Sequence, residues 1–389
     1  MERGGAVHSR QVLFLEPWDD GSHRAFREGL LACSHHRYTV LSLPGRFWKW
    51  RMRAAAAWFA DRLNEQRPPA DLILTTGFLN VADLRGLLRP PLDRLPVVLY
   101  MHENQLTYPL SPQEEFDFHF GFTNIISCLA ADHVVFNSEW HRSLFLDAIP
   151  AFLNRMPEAV PKDVPARIRA RSEVVPVGIE RAPLPAKHFP QYRGGPCEPE
   201  IGPRWPRGER PLLLWNHRWE FDKRPEMFAR ALGALLDRGL DFDVALLGDP
   251  AGQEAVFAPV AERLGPRCRA FAWIPERRTY EAWLAAADIV VSCAAQEYFG
   301  ISVAEAIHAG AYAVLPRGQV YPSLYGPGCR GRHFYEDQAG FEDLLAELIG
   351  GGACGHVCGL DQVADRCTWA VVGPRFDALL SACGDKSAR

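Results

Sequence analysis

Glu297-Tyr298-Phe299-Gly300-Ile301-Ser302-Val303-Ala304-Glu305-Ala306-Ile307-His308-Ala309-Gly310 is the stretch on which the reading of this chain turns. A short apolar run at 289–293 precedes it, and a helical period begins near Ile301. Strand, glycine turn and helix in that order are the start of a βαβ unit. Glu297 then falls in the loop after the strand, and Glu305 about one turn into the helix, near its positive end. That arrangement offers backbone N–H groups to a phosphate and two carboxylates to accept from sugar hydroxyls. A surface glutamate followed by a first-turn glutamate favoured by the helix dipole fits the same spacing, so spacing alone leaves both open.

The same rhythm runs outward in both directions. Apolar runs at 12–15, 39–43, 72–75, 97–101, 133–137 and 173–177 alternate with helical patterns such as 47–65. Residues 183–209 are crowded with Pro, Gly and Arg and show no period, which predicts a linker. Strands then resume at 212–215, 243–248, 268–271, 289–293 and 311–315. Strands alternating with helices on both sides of a linker predict an α/β protein of two Rossmann-like domains, with ligands between them beyond the carboxyl ends of the strands. The expected boundaries are 1–182, 183–209, 210–365 and a C-terminal helix in 366–389 that crosses back to the first domain.

Composition narrows the classes. The 389 residues are 48% hydrophobic and 23% charged, enough for a core in each of two domains and far from a disordered composition. Ten cysteines without paired spacing fit a reducing cytosol, and no run approaches the ~18 apolar residues of a membrane span. The opening leads into Gln11 and the apolar run at 12–15, too short for a signal peptide, so a cytoplasmic protein is expected. Residues 1–182 hold 21 Lys/Arg against 21 Asp/Glu, so the whole net charge of −4 lies after them. A nucleic-acid partner therefore needs a local basic patch.

One such patch is Phe47-Trp48-Lys49-Trp50-Arg51-Met52-Arg53, where cations interleave with aromatic rings as in single-stranded RNA binders. An amphipathic helix whose aromatics are core is the bland alternative. Arg167, Arg169 and Arg171 form a second basic run. After the strand at 212–215 come Asn216-His217-Arg218-Trp219-Glu220-Phe221-Asp222-Lys223-Arg224, in which Arg218 and Lys223 are either a clamp for a diphosphate or solvated loop cations. His102-Glu103-Asn104-Gln105 follows the strand at 97–101, and Glu16-Pro17-Trp18-Asp19-Asp20-Gly21-Ser22-His23 follows the first strand without the G-x-G-x-x-G spacing. Asp241-Phe242-Asp243 precedes its strand, the wrong edge for a Mg²⁺ site, and Cys354, His356, Cys358 and Cys367 lack the spacing of a zinc knuckle.

With these residues assembled, the chain resembles the retaining GT-B glycosyltransferases with an E-x7-E motif. Glu297…Glu305, Arg218…Lys223, Val135-Phe136-Asn137-Ser138-Glu139 and Val175-Pro176-Val177-Gly178-Ile179-Glu180 stand in that family's order, the last ending in Glu180 where Asp is usual. Glu16-Pro17, Gly21-Ser22-His23, Phe47–Arg51, His102-Glu103-Asn104-Gln105-Leu106-Thr107-Tyr108-Pro109 and Phe120-Gly121-Phe122-Thr123-Asn124 are similar to the tRNA-queuosine mannosyltransferases. The resemblance implies a GT-B fold, parallel sheets facing across a cleft, and transfer of mannose from GDP-mannose to queuosine in tRNA-Asp. It implies no metal and no cofactor beyond the nucleotide sugar. Arg218, Lys223, Glu297 and His102 would be catalytic. Gly21, Ser22, Phe299, Gly300, Ile301 and Glu305 would bind the donor, and Trp48, Lys49, Trp50, Arg51, Arg53, Glu103, Asn104 and Gln105 the tRNA acceptor. A relative acting on a glycan, lipid or small-molecule acceptor, and a non-catalytic tRNA- or nucleotide-binding protein on the same fold, are the alternatives.

Overall fold

The computed structural model describes residues 9–111, 114–180, 188–191, 200–203, 210–250, 252–326, 333–352 and 360–384. They form two compact units, one of Met1–Gly178 with Trp369–Arg389, the other of Ile179–Thr368.

The first unit carries a six-stranded parallel sheet. Its strands are β1 (Gln11–Asp19), β2 (Arg37–Pro44), β3 (Leu72–Thr76), β4 (Val97–Met101), β5 (His133–Phe136) and β6 (Ser172–Val174), in the order β2-β1-β3-β4-β5-β6. β3 and β4 are buried at every residue, the signature of a sheet covered on both faces. Leu13, Leu15, Phe59, Ile73, Leu99 and Phe136 are among its core residues. The helix Trp369–Gly384 belongs to this unit. Its Trp369 and Phe376 pack on Phe26 with ring centroids 5.9 and 5.4 Å apart, and Asp377 accepts from Ser34 and His35.

The second unit holds a two-stranded antiparallel pair, β7 (His188–Gln191) and β8 (Glu200–Pro203), and a second parallel sheet. The latter comprises β9 (Leu212–Asn216), β10 (Asp243–Leu247), β11 (Cys268–Ala272), β12 (Ile289–Val291), β13 (Tyr312–Pro316) and β14 (Phe334–Tyr335), in the order β11-β10-β9-β12-β13-β14. Its core gathers Leu213, Trp215, Phe228, Leu246, Val291 and Phe341.

Each sheet reverses its strand order beside its first strand, between β1 and β3 and between β9 and β12. At such a switch point the following loops diverge and leave a crevice at the carboxyl edge. The carboxyl ends of β1, β9 and β12 and the segments that continue from them carry Glu16–His23, Asn216–Lys223 and Ser292–Gly300.

One expectation needs correction. Residues 183–209 are not wholly a linker, since β7 and β8 lie there, while 183–187, 192–199 and 204–209 fall outside the described residues. Four-residue strands offer too few positions for an alternation to register. The short edge strand β14 escaped notice for the same reason. Cys354, His356 and Cys358 also lie outside the described residues.

Candidate active site

In the second unit, the segments after β9 and β13 and the start of one helix converge on Glu297, which lies in the loop after β12. The helix Ile301–His308 starts at Gly300, whose φ of +83° and 2.9 Å approach of a Cβ to Tyr321 leave room for glycine alone. As at any helix start, its first N–H groups have no partner within the helix. Gln319 brackets the preceding loop: its amide donates to the Ala295 carbonyl at 2.6 Å and accepts from the Glu297 N–H at 3.2 Å.

Lys223, itself almost buried, donates to Glu297 Oε2 at 3.1 Å and the Gln296 carbonyl at 3.2 Å, and lies 3.2 Å from Asp222 Oδ2. Those three contacts use all three ammonium donors. Burial works against its charge, yet Glu297 and Asp222 outweigh burial and hold the ammonium above its ordinary range. Arg218, by contrast, is exposed and pairs with Glu220 at 3.2 Å. The structure therefore separates two cations that look alike in sequence: one is committed to holding Glu297, the other presents its fork outward.

His217, next to Arg218 in the chain, is buried. Its Nε2 is 3.1 Å from the Val291 carbonyl, which can only accept, so Nε2 carries the proton and Nδ1 accepts from the Ser302 hydroxyl at 3.1 Å. Burial and then Lys223 lower its pKa to about 4, keeping it neutral at physiological pH. His217 thus ties the loop after β9 to the first turn of the Ile301–His308 helix. Glu305, buried, receives Arg277 at 2.8 Å on one oxygen and the Tyr280 hydroxyl at 3.2 Å on the other. Burial raises its carboxyl above the ordinary range, against the pull of Arg277 and Tyr280. Asn216 completes the network by donating to Tyr280 Oη at 3.0 Å and to the Ser302 carbonyl at 2.9 Å.

In the first unit, Glu16, His23, Glu103 and His102 meet at the carboxyl edge of the sheet. His23 lies 3.1 Å from Glu16 Oε1 through Nδ1 and 3.1 Å from Glu103 Oε1 through Nε2. His102 stacks on it with ring centroids 4.1 Å apart. Asn104 is buried, and its Oδ1 accepts from Leu106 N, Thr107 N and the Thr107 hydroxyl, so it shapes the loop from within. Gln105 N is held by Asn124 at 2.7 Å. Gly21 and Ser22 begin the helix Gly21–Cys33 on the surface, with the Gly21 N–H already held by Asp20 at 2.9 Å.

The basic–aromatic stretch opens the helix Trp48–Gln66 and splits by face. Trp48 packs on Phe78 and Phe120, and Met52 is buried. Phe47 is 71% exposed and Trp50 63%. Lys49 pairs with Glu114 at 3.1 Å, Arg51 donates to the Pro44 carbonyl, and Arg53 lies over the Phe120 ring. Of the second basic run, Arg171 donates to the Leu129 and Ala131 carbonyls and so supports the fold.

Sequence reasoning missed Arg277, Tyr280 and Gly248, and quoted Glu16 and His23 without giving them roles. Arg277 and Tyr280 reach Glu305 from the helix Arg277–Ala286 across a gap no local pattern marks. Gly248, directly after β10, has φ +116°, and a Cβ there would lie 1.9 Å from the His217 carbonyl oxygen.

Known proteins decide between these readings. The family described as tRNA-queuosine alpha-mannosyltransferase N-terminal matches residues 11–179. The tRNA-queuosine alpha-mannosyltransferase of Drosophila melanogaster is 34% identical over 325 residues, covering 81% of this chain and 81% of that protein.

The chain belongs to the tRNA-queuosine alpha-mannosyltransferase family.

Solved structures agree on the fold of this family member. Sucrose-phosphate synthase from Thermosynechococcus elongatus superposes with a TM-score of 0.68 at 13% identity, covering 95% of this chain and 98% of that one. Anabaena HepE in complex with UDP gives 0.64 at 15% identity, covering 96% and 100%. The fold is GT-B, and the chain is a glycosyltransferase. Among the described residues no helix is long and apolar enough to cross a membrane.

Gly248→Ala is expected to push the His217–Arg218 peptide aside and lower turnover on the order of 10²-fold, as for a catalytic group misplaced by about 1 Å. Steady-state kinetics beside a thermal melt check this, and turnover equal to the parent protein's would contradict it.

Proposed function

We propose that the chain transfers mannose from GDP-mannose to a hydroxyl of the cyclopentenediol of queuosine in the anticodon of tRNA-Asp. In this reading configuration is retained, no metal ion and no cofactor besides the nucleotide sugar takes part, and the enzyme is cytoplasmic. Membership of the family carries the acceptor and the sugar. The arrangement around Glu297 supports the donor half.

As the bond from mannose C1 to the diphosphate breaks, negative charge grows on the leaving oxygen. Arg218, with its exposed fork, would meet that charge, and the N–H groups of Gly300 and Ile301 would add the helix dipole, joined by that of Phe299 once it leaves Glu297 Oε1, 3.5 Å away. Lys223 contributes chiefly by holding Glu297, which accepts from the mannose hydroxyls. Each Glu305 oxygen keeps a lone pair beyond its bond to Arg277 or Tyr280, enough to accept from the ribose hydroxyls. The acceptor oxygen attacks C1 on the face the diphosphate leaves, and its proton passes to the departing phosphate, giving mannosyl-queuosine tRNA and GDP. No protein nucleophile is needed. His102 would face the transferred sugar, Glu103 would accept from the queuosine diol, and Asn104 and Gln105 would keep that loop in shape. Gly21 and Ser22 would line the diphosphate, with Ser22 the better placed because Asp20 already holds the Gly21 N–H.

For the tRNA, the exposed rings of Trp50 and Phe47 suit stacking on unpaired anticodon bases, and Lys49, Arg51 and Arg53 suit phosphates. Trp48, half-buried against Phe78 and Phe120, anchors that helix.

Arg218→Ala, assayed with excess chelator, is expected to lower kcat on the order of 10²–10³-fold while donor affinity changes far less. Equal losses in both would remove the leaving-group role. On the tRNA side, Trp50→Ala should weaken binding by about 1–3 kcal/mol without changing its salt dependence. The Lys49→Ala, Arg51→Ala, Arg53→Ala triple variant should flatten the slope of log affinity against log salt by about two to three. Filter-binding titrations at several salt concentrations read both, and unchanged binding in both variants would move the tRNA elsewhere on the protein.

A further inference from the structure

Both ring nitrogens of His23 face carboxylates, Glu16 on one side and Glu103 on the other, each at 3.1 Å. A carboxylate only accepts, so a ring that bonds to both must carry two protons and a positive charge. Glu16 is fully buried, and the oxygen facing His23 also accepts from the Trp18 N–H at 2.9 Å and the Thr76 hydroxyl at 2.8 Å. Three donors thus converge on that one oxygen. The other Glu16 oxygen has no partner among the described residues. With Glu103 the cluster sums to two negative charges and one positive.

We propose that His23 is a positioning residue of the transferase: a buried imidazolium that fixes the Glu103 carboxylate at the edge of the sheet and keeps the stacked ring of His102 uncharged. The inference rests on reading this edge as the half of the site that handles the sugar and its acceptor.

His102 is 5% exposed, and its Nε2 has no hydrogen-bond partner among the described residues. Phe26, Tyr100 and His141 surround it along with His23, and its own carbonyl accepts from the Asn137 amide at 2.7 Å. Burial, then the charge of His23, then His141 hold it well below the ordinary histidine range. For His23 burial also works against charge, but Glu16 and Glu103 more than offset it and raise the pKa to about 10. Neutrality of His102 matters to the reaction. Positive charge builds on the sugar ring as C1 loses its leaving group, and a second cation beside it would oppose that step. A neutral imidazole can bond a sugar hydroxyl without that cost. A position that only needed filling would not require an ion triad, whose desolvation a well-packed apolar residue avoids.

The test begins with the intact wild-type protein, following its histidine rings by proton–nitrogen NMR from pH 5.5 to 9. His23 is expected to stay doubly protonated and His102 neutral across the range, and a His23 midpoint near 6.5 would overturn the proposal whether or not any variant folds. His23→Gln keeps hydrogen-bonding capacity and loses the charge. In it the His102 midpoint is expected to rise by a pH unit or more, and kcat to acquire an acid limb that the parent lacks. Equal loss at every pH, with His102 unmoved, would mean a merely structural role. Folding stability gives a third reading. A histidine raised from 6.5 to about 10 contributes fully below pH 6.5 and loses that contribution as pH rises toward 10. The wild-type protein should therefore lose stability over that interval and His23→Gln should not; an equal loss in both would count against the ion triad. The ring titrations do not depend on queuosine being the acceptor. Failure of that reading would appear instead as absence of transfer by wild-type protein with the expected titrations intact.

Discussion

A parallel sheet buried on both faces leaves its polar chemistry only the edge where the strands end, and reversal of the strand order opens that edge to a ligand. Both sheets of this protein obey the constraint. β1 and β3 flank one switch point, with Glu16 at the end of β1 and His23 in the helix that follows. β9 and β12 flank the other, with Asn216, His217 and Arg218 after one and Ser292–Gly300 after the other.

At both edges the dominant cost is burial of charge, met in each case by close pairing. Lys223 lies between Glu297 and Asp222, Glu305 between Arg277 and Tyr280, and His23 between Glu16 and Glu103. Breaking any such pair leaves an uncompensated buried charge. Two neutral histidines, His217 and His102, lie beside these ions, each kept neutral first by burial and next by a neighbouring cation. Arg218 in the second unit and Phe47 and Trp50 in the first are exposed, and the proposed reaction assigns them to the substrates.

Strands such as β4 were legible in the sequence because a fully buried strand is a continuous apolar run between turn residues. The helix after Gly300 and the placement of Glu297 and Glu305 followed from the glycine turn and the period beyond it. The Lys223–Glu297 pair was not legible, because 74 residues separate its members and only the pairing of β9 with β12 brings their loops together. Arg277 and Tyr280 were hidden for the same reason. Arg218 and Lys223 look interchangeable in sequence, and only burial shows that one is committed to Glu297. His23 stood inside a quoted motif, but its charge depends on Glu103, contributed by the loop after β4.

The central claim is tested most directly by mass analysis of nucleosides from queuosine-containing tRNA-Asp after incubation with the purified protein and, separately, GDP-mannose, UDP-galactose or UDP-glucose. The account predicts a hexose added to queuosine with GDP-mannose alone. Addition with a UDP-sugar instead would contradict the donor assignment, and no addition with any donor would contradict the function proposed for the chain.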